Sequence, residues 1–176
     1  PNPDTPGLSG GLLVSMFEDR QYQWRETYFV LFDPAKRPRL EDLKKRLAGQ
    51  GSHFTVSNSV TDAKGLIESL TVLAPDDFAA LDISYLSGEE VREEARALAR
   101  DLISPECRGD EREKIERLKH CSGRFDVLHF ENVSERSEPG GDDDGMFDPS
   151  GLLIVLDALV ALTDGIAVDP QSGAML

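Results

Sequence analysis

Two thiols and two imidazoles, Cys107, His120, Cys121 and His129, fall in one short stretch of the chain. Thiolate sulfur and imidazole nitrogen are the atoms that hold zinc in a tetrahedral site. The spacing works against a metal. Thirteen residues separate the two cysteines, whereas zinc knuckles set their cysteines a few residues apart. His120 and Cys121 are neighbours, so their side chains diverge. His129 alternates with apolar residues and is expected to face outward from a strand. The sequence is read as carrying no metal and no cofactor, with these four residues as the alternative metal set.

Carboxylates offer a second chemistry. Asp82 and Tyr85 stand close together, and Asp157 is the lone charge in an apolar run from Leu152 to Leu162. A buried carboxylate with a displaced pKa can do acid–base work or grip a ligand. An enzyme would assemble its site from Asp82, Tyr85, Asp157 and His129. Nothing in the spacing brings these groups together, so no catalytic residue is assigned. Asp82, Tyr85 and Asp157 stand as candidate ligand contacts.

The run Asp142-Asp143-Asp144-Gly145-Met146-Phe147-Asp148 gathers carboxylates. Calcium needs several oxygen ligands at set positions. The EF-hand spacing is missing, and an acidic, solvated loop is expected. The phosphate-binding G-x-x-x-x-G-K-[ST] and G-x-G-x-x-G loops, the G-x-S-x-G nucleophile turn and H-E-x-x-H are all lacking. Tyr22, Trp24 and Arg25 form a small aromatic and basic patch able to hold a partner or an anion.

Charge narrows the partners. The chain has 33 acidic and 19 basic residues, a formal net charge of −14 in 176 residues. That field repels phosphate backbones and anionic lipid, so nucleic acid and membrane surfaces are disfavoured. Basic proteins and cations suit it. No apolar run reaches the roughly 18 residues that span a bilayer. The start, Pro1 to Gly7, lacks the basic region of an intact signal peptide, and the chain reads as a trimmed product or a domain of something longer. Two cysteines are too few for a disulfide scaffold, which favours a reducing, cytoplasmic setting.

Periodicity supplies the elements. Residues 1–11, rich in Pro and Gly, read as a flexible lead-in to a single domain over 12–176. Thr27–Phe32 reads as a strand buried on both faces. Leu40, Leu43 and Leu47 make the apolar stripe of a helix that ends at Gly49 and Gly51. Phe54–Val60 and Leu66–Leu73 read as a hairpin, and Leu81–Tyr85 as a short extended segment. Ser87 and Glu90 have the spacing of a capping box for a helix that ends at Pro105. A poorer helix over 110–120, a strand over 125–130 and an acidic loop at 131–147 follow. Asp148 and Pro149 are placed to start a buried helix over 152–162. A strand at 166–168 and a turn over Asp169–Gly173 finish the chain.

This order makes the fold class α+β, with a ferredoxin-like βαββαβ core extended by a C-terminal helix and strand. Both main helices are expected on one sheet face. The phrase from Ala158 to Pro170, a helix running into Thr163-Asp164-Gly165, a strand and an Asp-Pro turn, resembles the ending of uncharacterised bacterial ferredoxin-like domains. Asp164 stands where such endings have a first glycine. The resemblance implies a fold and no catalytic residue.

The functional expectation is a non-catalytic domain for protein contact or small-ligand sensing, with a protein or a second copy of the chain (a homodimer) as partner. The alternatives are an enzyme with a carboxylate and tyrosine site, and an acidic inhibitor that engages a basic partner through the 131–148 loop.

Overall fold

A computed structural model describes residues 16–51, 53–104, 107–134 and 150–176. Seven strands form one antiparallel sheet in the order β2-β3-β4-β5-β1-β6-β7. They are β1 (Tyr22–Phe32), β2 (Thr55–Thr61), β3 (Ile67–Ala74), β4 (Ala79–Ser87), β5 (Gly123–Asn132), β6 (Ile166–Asp169) and β7 (Ala174–Met175). Helices α1 (Leu40–Ala48), α2 (Glu89–Leu102), α3 (Asp110–Leu118) and α4 (Ser150–Thr163) cover it.

The sheet is larger than a ferredoxin-like core and ordered differently. The short segment expected at 81–85 is a full strand, β4, hydrogen-bonded between β3 and β5. It gains that length because Ala79, Ala80, Leu81 and Ile83 are all buried there. In a split βαβ unit one strand lies between the two that a helix joins. Three strands lie between β1 and β2, the pair that α1 joins. The split arrangement occurs instead in the second half, where α4 links β5 to β6 and β1 runs between them.

Side-chain alternation along β1 sends successive residues to opposite faces. Val30 and Phe32 join Leu43 and Leu47 of α1 and Leu152, Val155, Leu156 and Leu159 of α4. Leu31 joins Val91, Ala95 and Ala99 of α2, Ile115 and Leu118 of α3, and Ile166 and Val168 of β6. The helices therefore lie on both faces, α1 with α4 and α2 with α3, and not together as expected. On the α2 face a third, smaller cluster gathers Met16, Ala80 and Phe130 at the end of the sheet where β1 begins.

Helix starts also differ from their sequence signals. Ser87 belongs to β4, opposite Gly123, and Gly88 precedes α2 with no side-chain cap. A strand residue held in the ladder cannot turn to cap the next helix. Asp148 and Pro149 lie outside the described residues. The Gly151 amide of α4 instead donates to Asp77 Oδ2 at 2.6 Å. Asp77 sits in the tight turn between β3 and β4.

Candidate functional site

The three candidate ligand contacts do not meet. Asp82 and Tyr85 are three apart on β4, so the pleat sends them to opposite faces. Asp82 lies on the α2 face, where Thr71 Oγ1 donates to its Oδ1 at 2.6 Å. Burial raises its pKa, opposed by the Thr71 hydroxyl and by the Met16 backbone. Tyr85 lies on the α1 face, packed with Phe32 and Phe125 at ring separations of 6.0 and 5.8 Å. The Arg37 guanidinium caps the Tyr85 ring at 4.5 Å and reaches Asp62 at 2.5 Å. Asp157 is on the outer side of α4, exposed, 3.7 Å from Arg46.

The four sulfur and imidazole groups are split by the sheet. Cys107 and Cys121 are free thiols packed among the apolar residues under α2 and α3. Burial pushes the Cys121 thiol up to about 11, which keeps it protonated and unreactive. His120 beside it is exposed. His129 does not face outward: it is 1% exposed, on the α4 face. Its Nδ1 lies 3.2 Å from Glu26 Oε1. Among the described residues no three His, Cys, Asp or Glu groups come close enough to share a metal ion. The acidic run at 142–148 lies outside the described residues.

His129 belongs to a polar row across β1 and β5, buried at His129 and Glu131 and open to solvent at Arg25 and Glu26. The row exists because Arg25 is an extra residue where the β1–β5 register shifts between Trp24 and Glu26. The bulge turns Arg25 onto Glu131, whose Oε2 accepts from Arg25 Nε at 2.6 Å. Glu26 pairs with His129, and burial together with Glu26 drives the Tyr28 hydroxyl well above its usual pKa. No buried side-chain nitrogen or oxygen among the described residues lacks a hydrogen-bond partner. The interior is therefore satisfied by itself, with no polar group aimed into an empty site.

A shallow cavity of about 220 Å³ opens between the end of β1, the end of α3 and the α4–β6 turn. Its cations are already engaged. Lys36 Nζ and Arg117 Nη2 hold the Asp164 carboxylate at 2.7 and 3.1 Å, and Arg117 also donates to the Asp164 carbonyl at 2.6 Å. These cations keep the Asp164 carboxyl below its ordinary pKa. Asp164 takes the left-handed φ of 50° that suits glycine, as its place after α4 requires.

Three aromatic residues are among the exposed large apolar side chains, beside the aliphatic Val60, Leu86, Ile103, Leu153 and Leu176. Phe17 is 63% exposed, Phe78 44% and Trp24 40%. A ring contact, a strand pairing or a backbone hydrogen bond ties each of them to the last residues of β5. The Phe17 ring meets Phe130 edge-on at 4.9 Å, Trp24 is the β1 partner of Phe130, and the Phe78 carbonyl accepts from the Asn132 amide at 2.7 Å. Glu18 and Asp19 follow Phe17, and Asp76 and Asp77 precede Phe78. The sequence flagged Trp24 through its aromatic and basic neighbours. Phe78 was missed, although an aromatic residue after Pro75-Asp76-Asp77 is a signal: a turn has no interior face in which to hide it.

No protein-family model matches the chain, and no curated protein or solved structure matches it.

Proposed function

We propose that this chain is a non-catalytic binding domain whose aromatic sheet end docks a basic protein. The observation that carries this reading is that Phe17, Trp24 and Phe78, each two-fifths or more exposed, are each tied to the end of a single strand. Exposed aromatic side chains with acidic neighbours have the composition of an interface core and its rim. The net charge of −14 steers a cationic partner toward the chain and repels nucleic acid.

The self-satisfied interior and the separation of Asp82, Tyr85 and Asp157 favour binding over catalysis. Two free, buried thiols agree with a reducing, cytoplasmic setting.

The test is selection of a displayed random-peptide library on the immobilised chain. Enriched sequences should be rich in Lys and Arg, and their binding should weaken with salt. They should lose most of their affinity for a Phe17→Ala, Trp24→Ala, Phe78→Ala triple variant and keep it for Leu153→Ala on α4. Binders that are acidic, or indifferent to the triple substitution, would overturn the reading.

A further inference from the structure

Strand β2 ends the sheet, and its hydrogen-bonded neighbour is β3 alone. Among the described residues, no hydrogen bond outside that ladder engages Thr55–Thr61. An edge of this kind carries a row of free N–H and C=O groups that can template another strand. Edge strands are ordinarily protected by lysine, by proline or by a bulge. Here the sequence is Thr55-Val56-Ser57-Asn58-Ser59-Val60-Thr61, with no charge and no proline. Two register irregularities, one between Ser57 and Val60, where Asn58 has φ 47°, and one between Val60 and Thr61, are the protection it has. The opposite edge is blunted differently, since β7 is two residues long.

We infer that β2 pairs antiparallel with β2 of a second copy of this chain, joining two sheets about a two-fold axis. Two features single out a second copy as the occupant. A chain of net charge −14 repels its own kind over most of its surface, and this strand presents no charge to oppose contact. The strand also reads the same in both directions. Whatever antiparallel register the irregularity at Asn58 allows, the cross-strand neighbours within the strand are Thr, Val, Ser and Asn. Thr and β-branched residues make favourable cross-strand pairs, and a two-fold interface must be self-complementary. Val60, 38% exposed, is the apolar side chain such a contact would cover. A single strand pair buries less than a standard interface, so the dimer is weak and concentration-dependent.

The experiment is sedimentation velocity of the full chain from about 1 to 500 µM, beside Ser59→Lys and Val60→Lys variants. Circular dichroism of each variant establishes that it remains folded. Amide hydrogen exchange of residues 55–61 is followed across the same concentrations. The wild type should shift from monomer to dimer with rising concentration, both lysine variants should stay monomeric, and protection of 55–61 should grow with dimer. A wild type monomeric at every concentration would overturn the inference. So would a dimer that the folded lysine variants retain, because its interface would then lie elsewhere.

Discussion

Asp77 caps a helix that lies far from it in the chain: its carboxylate accepts the backbone amide of Gly151 at 2.6 Å. This contact ties the β3–β4 turn to the first turn of α4. The fit is close, because a Cβ on Gly151 would run into the Asp77 carboxylate. Removing a capping side chain costs about 0.5–2 kcal/mol. Asp77→Ala should lower the urea midpoint accordingly at an unchanged slope, and Asp77→Asn should recover most of the loss.

His129 sets a pH dependence with a definite sign. Burial, its largest influence, lowers the pKa of the ring, while Glu26 and Glu131 raise it and Arg25 lowers it further. The folded protein therefore holds fewer protons here than the unfolded chain between the lowered pKa and about 6.5. Stability rises with pH across that window and is lost as pH falls through it. Chemical denaturation at pH 5 and pH 7 should show this loss. His129→Gln should shrink the difference between the two pH values.

Asp82 contributes with the opposite sign. Its pKa is raised by burial, so between the ordinary carboxylate value and the raised one the folded state holds more protons. This group favours the fold at low pH and weakens it once ionised. Asp82→Asn keeps an oxygen for the Thr71 hydroxyl and removes the buried charge. The variant should match or exceed the wild-type melting temperature at pH 7 and lose that advantage near pH 4.

Gly165 has no room for a side chain. A Cβ there would lie 2.6 Å from Thr163 Oγ1 and 2.9 Å from the Leu31 carbonyl oxygen. The backbone of β1 cannot yield without disturbing its pairing with β6. Gly165→Ala should cost about 1–3 kcal/mol, as overpacking does, read as a drop in the denaturation midpoint.

Much of the fold was legible because local chemistry and final position agree. The Leu40, Leu43, Leu47 stripe is α1, the 54–73 hairpin is β2 and β3, and the apolar run after Gly151 is α4. What was not legible depends on the sheet. Residues 79–87 pair between two long strands, and that partnership lies outside local periodicity. Ser87 has the right type and spacing to cap α2, but the ladder claims it first. His129 reads as an outward residue by alternation; it is buried because both faces of β5 are covered. Asp82 and Tyr85 looked like a cluster in the sequence, and the pleat separates them. The aromatic end was half visible, through Trp24, because exposure depends on where neighbouring strands stop.

The sheet order has a consequence for how the protein is made. β1 leaves the ribosome well before its two neighbours, β5 and β6, which start at Gly123 and Ile166. At translation rates of about 5–20 residues per second, β1 waits several seconds for its first partner and longer for its second. The β2-β3-β4 meander is complete well before then, and its pairings are local in sequence, so its strands can pair earlier than β1 does. During that interval the aliphatic and aromatic run Tyr28–Phe32 is an unprotected, aggregation-prone segment of the nascent chain. Demand for chaperone help during synthesis should therefore fall on β1.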